Sequence, residues 1–307
     1  MVLNYHRIGS PDDDLFSPGV FSVTADELDE QISCLKRVVP LVTLEETLAV
    51  VEGSLKKRPR CRTLITFDDG YLDNYRIAFP ILRSHGVQGV FFLTTNMVGS
   101  NNVPWWDHIA YLVRTARTRR FTLHYPLSLE VDVDRDGLTG SLNRVLGLYK
   151  RGENSDPQRF LRELGDEAHS EELPGERRFL SWDEAREMSR QGMAIGSHTH
   201  SHPVLSRLSP EQQSQEFVHS RELLKAQVGI EADTLAYPFG YRGSFSDETQ
   251  KLARESGFRA AFSNYGGSNL AGRMQRHDLK RIDISGQSWT RFQVQVAMCR
   301  LTGSYYP

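Results

Sequence analysis

The sequence predicts an α/β protein with a parallel sheet, and three observations carry that prediction. Short apolar, β-branched runs bounded by turn residues read as strands. Amphipathic stretches opened by capping boxes read as helices. The two alternate along most of the chain, which calls for parallel pairing through right-handed crossovers. Several such units in one chain build either a barrel or an open doubly wound sheet.

Taken in order, Val2–Tyr5 is the first strand. Thr24 and Glu27 form a capping box, each satisfying a free backbone N–H of the other, and Leu28, Ile32 and Leu35 then share one helical face. Thr43 and Glu46 open a second helix, ended by Gly53. Thr63–Phe67 is a strand, 73–85 a helix in which Pro80 introduces a kink, and Val87–Thr94 a strand. Ser181 and Glu184 make a third box, closed by Gly192, and Met193–Gly196 follows as a short strand. Ser209-Pro210 opens a long helix with proline where its missing N–H costs nothing. Thr234–Tyr237 is a strand, 247–256 a helix, and Arg259–Ser263 and Leu279–Asp283 are strands. Residues 99–178 break this rhythm. They hold Trp105-Trp106, a basic run from Arg114 to Arg120, an acidic patch from Glu130 to Asp136 and a polar segment from Gly152 to Pro157. They read as an insertion with helices and a hairpin. The basic run Lys56–Arg62 reads as a solvated loop before a strand.

Composition sets the bounds. The chain has 307 residues, and Lys plus Arg total 37 against 39 for Asp plus Glu, a net charge of -2. That balance counts against a nucleic-acid partner. A chain of this length buries about three quarters of its unfolded surface and needs no disulfide framework. The three cysteines, Cys34, Cys61 and Cys299, are odd in number and widely spaced, so reduced buried thiols are expected. No apolar run approaches the ~18 residues of a membrane span. No basic-then-apolar leader opens the chain, and a cytoplasmic protein is expected.

Three segments at strand ends can do chemistry. Thr66-Phe67-Asp68-Asp69-Gly70 places two carboxylates where a strand meets a loop. Ligands of parallel α/β folds gather at such ends, although an Asp-Gly turn with a helix cap accounts for the segment equally well. Gly196-Ser197-His198-Thr199-His200-Ser201-His202 gathers three of ten histidines in five residues after a core strand. Neutral imidazole suits zinc, nickel, cobalt and iron, and His198 and His202 are spaced to share one face while His200 points elsewhere. Tyr237-Pro238-Phe239-Gly240 could wall a substrate cleft, or be a proline-constrained turn.

The order Asp-Asp-Gly, His/His, Tyr-Pro-Phe-Gly resembles the polysaccharide deacetylases of the NodB-homology type, carbohydrate esterase family 4, over about 1–98 and 179–285. Thr66–Gly70 matches the family's TFDDG letter for letter, and His198–His202 its H-[ST]-x-x-H. The resemblance implies a distorted (β/α)7 barrel, with 1–307 as one deacetylase domain and 99–178 as its insertion. It implies Asp68 as catalytic base and Asp69, His198 and His202 as ligands of a divalent metal, zinc first, with cobalt, nickel or iron as alternatives. Thr199 would brace the histidine loop, and Tyr237, Pro238, Phe239 and Gly240 would bind substrate, a backbone N–H near Tyr237 serving the oxyanion. Two departures stand out. Ala236 occupies the place of the arginine in the family's R-x-P-[YF], leaving Arg242 or Arg281 to orient Asp68. The late Leu-x-His that carries the acid has no match. His6, in a Tyr5-His6 segment like that of the exopolysaccharide members, is the expected acid, and His277 is the rival. The implied activity is metal-dependent removal of N-acetyl groups from an amino sugar in a polymer, oligomer or glycan precursor. A metal amidohydrolase acting on another C–N bond, such as an N-formyl group, and a silent carbohydrate-binding homologue are the alternatives.

Overall fold

In a computed structural model of the chain, which describes residues 1–54, 61–151, 156–267, 269–270 and 273–302, strands and helices alternate as the sequence requires. The elements are β1 (Val2–Tyr5), β2 (Arg7–Ile8), β3 (Phe21–Val23), α1 (Ala25–Val38), α2 (Leu44–Val51), β4 (Leu64–Phe67), α3 (Phe79–Ser84), β5 (Gly89–Leu93) and α4 (Trp105–Arg114). Then come β6 (Arg120–Leu123), β7 (Leu129–Asp132), α5 (Val133–Arg151), α6 (Pro157–Ala168), α7 (Trp182–Arg190), β8 (Ala194–Ser197) and α8 (Pro210–Val228). The chain continues through β9 (Thr234–Ala236), α9 (Asp247–Glu255), β10 (Ala260–Phe262), β11 (Ile282–Asp283) and α10 (Trp289–Thr302). The three expected capping boxes, at Thr24, Thr43 and Ser181, all form, and Ser209 makes another with Gln212. Most of the expected run Lys56–Arg62, and most of the polar segment from Gly152, lie outside the described residues.

Backbone packing divides the chain into two units. The first comprises 1–9, 21–100 and 177–307, the second 10–20 and 101–176. The first holds a seven-stranded sheet in the order β10-β9-β8-β5-β4-β1-β11, parallel at every pairing. β4 and β5 are buried along their whole length, as strands of a parallel sheet covered on both faces must be. Leu279 bridges to Phe262 of β10, and three residues later β11 pairs with β1, so one short stretch of chain joins both edges. This curled parallel sheet with helices is the (β/α)7 barrel class.

Register sets the site. Tyr5 pairs with Phe67, and Phe67 with Phe91. Their rings stack at 5.3 and 4.7 Å, so the residues that follow, His6 and Asp68, emerge side by side. Gly196 in β8 is needed because an added Cβ would lie 2.5 Å from the Phe92 ring.

The second unit has its own core, including Ile109, Leu112, Phe121, Val131, Leu148 and Phe160. β6 and β7 form an antiparallel hairpin, and the basic and acidic runs pair across it, Arg120 with Glu130 and Asp132 and Arg119 with Asp134. Trp105 stacks on Tyr149 at 4.4 Å within this unit. Residues 10–20, which the sequence pattern leaves inside the barrel, belong here. The Ser17 N–H donates to buried Asp107, and Arg114 donates to the Phe16 carbonyl.

Three expectations are corrected. Cys61, just before β4, and Cys299, in α10, form a disulfide across 238 residues, leaving Cys34 as the free cysteine. Chain separation says nothing about proximity here, because α10 packs back against the core that holds Cys61 and brings the two Cα atoms to 5.7 Å. The helix expected over 73–85 forms, but its middle, Asn74–Ala78, is a π-helical turn that runs directly into α3, with Pro80 just after it. The last strand is only Ile282–Asp283. Among the described residues no helix is long and apolar enough to cross a membrane.

Candidate metal centre

The site is built at the carboxyl ends of β1, β4, β8 and β9, all within the first unit. At the end of β4 the Asp68 N–H still donates to the Tyr5 carbonyl, but Asp69 turns into the left-handed region at φ 72° and the Gly70 N–H closes back on the Asp68 carbonyl at 2.9 Å. Asp tolerates that conformation better than most residues, and Gly70 follows at φ 83°. The tight turn is what brings two sequence-adjacent carboxylates to one pocket with different neighbours.

Asp69 Oδ1 is buried without a hydrogen-bond partner. It lies 3.5 Å from His198 Nε2 and 3.4 Å from His202 Nε2. A metal held by ligands at about 2.0–2.1 Å in tetrahedral array separates them by roughly 3.3 Å. These three residues are the group among the described residues that could hold a metal ion, and their donor set of one carboxylate and two imidazoles fits a divalent cation. His198 Nδ1 lies 2.8 Å from the Ala236 carbonyl. With the proton on Nδ1, that bond presents Nε2 as a ligand. Position 236 thus serves the site through its backbone although it lacks the family's arginine.

The charges agree. Burial works to raise the Asp69 carboxyl, but His198, His202 and His6 outweigh it and hold it below its ordinary range. Burial lowers His198, yet Asp68 and Asp69 reverse this and raise it, the response of an imidazole in an anionic pocket. His202 is pushed down to about 4 by burial against the pull of Asp69, so it is neutral and ligand-competent at neutral pH.

Asp68, next in sequence to Asp69, has different partners. Arg281 grips it with both arms of its guanidinium, each N–H···O at 2.7 Å, and Asn4 Nδ2 donates to Oδ2 at 3.1 Å. Asn4 Oδ1 in turn accepts from Arg281 and from Thr66 Oγ1. Burial opposes ionisation of Asp68, but Arg281 and then His198 overcome it and hold the carboxyl well below its ordinary range. Arg281, completely buried, is thus the cation that pairs with Asp68, where Ala236 has none to offer. Arg242 does not: it is exposed and lies over the Tyr265 ring at 4.4 Å.

His6 Nε2 stands 4.0 Å from Asp68 Oδ2. Its backbone is clamped, the N–H donating to Ser22 Oγ and the carbonyl accepting from Asn74 Nδ2. His277 instead turns its ring to the Phe258 carbonyl. His200 lies against Thr95 Oγ1, and Thr199 Oγ1 accepts the His202 N–H.

The Tyr237–Gly240 turn is rearranged relative to expectation. The Tyr237 ring is fully buried and stacks on Phe245, its hydroxyl donates to the His277 carbonyl, and its N–H is committed to Phe262. The Gly240 N–H is committed to the Pro238 carbonyl. Neither N–H is available to an oxyanion. Phe239, at φ 62°, is the residue whose ring meets the site, 4.9 Å from His202. Tyrosine in a strand-end motif reads as a wall, but stacking on half-buried Phe245 leaves Tyr237 to the core. Asn4 was missed by sequence reasoning, since an asparagine within an apolar strand signals little until the register shows it facing Asp68.

Residues 56–261, more than half of the chain, match the family model described as polysaccharide deacetylase. YxkH of Bacillus subtilis (strain 168), whose name assigns it to the same family, is 24% identical over 254 residues, covering 80% of this chain and 62% of that protein. A poly-β-1,6-N-acetyl-D-glucosamine N-deacetylase of Staphylococcus epidermidis is 34% identical over 112 residues, 33% of this chain and 38% of its own. The chain thus spans less than two thirds of the length of both relatives. The solved structure of IcaB from Ammonifex degensii shares the fold, with a TM-score of 0.60 at 19% identity over 97% of this chain and 96% of that one.

Proposed function

This chain belongs to the polysaccharide deacetylase family, and from that premise we propose that it removes N-acetyl groups from an amino sugar of a polysaccharide or glycan precursor, with 1–307 working as one deacetylase domain and 99–178 as its insertion. The observation that carries this reading is the division of labour between two adjacent carboxylates. Asp69 Oδ1 is buried without a hydrogen-bond partner and faces two imidazoles, whereas Asp68 is held ionised by Arg281 beside His6.

Asp69, His198 and His202 would hold the cation. Zinc is the natural occupant of a two-nitrogen, one-oxygen set, with cobalt, nickel or iron as substitutes. When bound, such an ion supplies Lewis acidity toward an amide carbonyl and an acidified water. The rest falls to the chain's own groups. Asp68, kept ionised by its donors, accepts the proton of the attacking water. Arg281 and Asn4 hold its oxygens fixed, so the proton meets a base of constant direction. His6, at the end of β1, donates to the leaving amine, which departs poorly unless protonated. Phe239 offers an apolar wall beside His202. The Staphylococcus epidermidis relative makes β-1,6-linked N-acetylglucosamine oligomers the first substrate to try. The Cys61–Cys299 bond favours encounter with substrate in an oxidising compartment rather than in the cytoplasm.

Acetate release from those oligomers by zinc-loaded protein tests the reading. The wild type releases acetate, and Asp68→Asn keeps its zinc while losing about 10²- to 10⁴-fold in rate. Normal turnover by Asp68→Asn refutes the base. Release of formate in place of acetate from matched substrates points to another amide, and binding without release points to a carbohydrate-binding homologue.

A further inference from the structure

We infer that Glu216, on α8, is a positioning residue for the metal centre, acting through the backbone of the histidine loop. The inference rests on the metal-hydrolase reading and deepens it. Residues 198–202 must present two imidazoles to Asp69 from a segment only five residues long. To do so the loop places two non-glycine residues, Thr199 at φ 65° and His202 at φ 60°, in the left-handed region. Each such residue is disfavoured and persists only where its surroundings over-determine it.

The determinant at the loop's apex is one carboxylate. Glu216 Oε2 accepts the backbone N–H groups of His200, at 2.9 Å, and Ser201, at 2.7 Å, and Oε1 accepts the Ser201 hydroxyl at 2.6 Å. These are charge-assisted bonds, shorter and stronger than neutral ones. They fix the peptide units that lie between the two ligands. One helical turn on from Glu216, Ser220 Oγ sits 2.7 Å from Ser197 Oγ, whose oxygen accepts the Thr199 N–H. One face of α8 thus grips the loop at its apex and at its root. Across the loop, the Thr95 and Asn96 N–H groups bind the Thr199 and His200 carbonyls. Glu216 touches neither ligand ring, so its influence on the metal passes through loop geometry.

Outer partners that orient metal ligands cost about 10- to 100-fold in metal affinity when removed. The test is zinc affinity by chelator competition, with the visible spectrum of the cobalt form and the melting curve of the metal-free protein. These are recorded for wild type, Glu216→Ala and Glu216→Gln. Glu216→Ala should bind zinc about 10- to 100-fold more weakly and show altered cobalt bands, with the metal-free protein still melting cooperatively. Glu216→Gln keeps one accepting oxygen and should fall between. Zinc affinity and cobalt bands of Glu216→Ala within twofold of wild type overturn the inference. If Glu216→Ala does not fold, wild-type affinity in Glu216→Gln overturns it instead. A wild-type chain that binds no zinc refutes the metal centre itself, a result distinct from equal binding by wild type and variant.

Discussion

Replacing Arg281 by methionine tests the electrostatic core of the site. The guanidinium and the Asp68 carboxylate are both removed from water. They are joined by two 2.7 Å bonds, and Arg281 also donates to Asn4 Oδ1 and to the Ser263 carbonyl. Removing one partner of such a pair leaves an uncompensated buried charge, worth about 3–5 kcal/mol. Asn4 Oδ1 keeps Thr66 as a donor, so most of the cost lies on Asp68.

The pH dependence identifies the cause. In the wild type the Asp68 carboxyl is depressed in the folded state. Its contribution is therefore present above the unfolded value near 3.9 and is lost only as pH falls through the lower folded value. Without Arg281, burial dominates and raises the folded value above the unfolded one. The folded variant then takes up a proton that the unfolded chain does not, and its stability rises as pH falls, by at most about 1.4 kcal/mol per unit. Denaturant melts of metal-free protein should show a deficit of about 3–5 kcal/mol at pH 7.5 that shrinks at pH 5. A deficit below about 1 kcal/mol, or one equal at the two pH values, refutes the assignment of Arg281 as the partner that keeps Asp68 ionised.

Three further outcomes are expected. His6→Ala should retain zinc and lose about 10²- to 10⁴-fold in deacetylation, least on substrates with good leaving groups; equal losses on all leaving groups would show that His6 is not the acid. Alkylation of unfolded, unreduced protein should label Cys34 alone, and all three cysteines after reduction. Removing the Cys61–Cys299 bond should cost about 2–5 kcal/mol of stability, and three labelled thiols before reduction would show that the bond does not form.

The sequence alone determined the alternation of strands and helices, because capping boxes and apolar periodicity are local signals. It also pointed to Asp68, Asp69, His198 and His202, because strand-end motifs place such residues wherever the fold runs. It determined His6 only as a candidate. Tertiary structure decided what depends on register and long-range closure. Arg281 reaches Asp68 from 213 residues away, and no local pattern separates it from Arg242, which turns to Tyr265. Asn4 and Glu216 bear on the site because one sheet pairing and one helix face bring them there. Tyr237, which looks like a wall in the motif, is drawn into the core by Phe245. Cys61 and Cys299 meet because α10 returns to the barrel. Local propensity is written in neighbouring residues, whereas charge pairing, second-layer support and cross-linking are properties of surfaces that exist only after the chain has closed on itself.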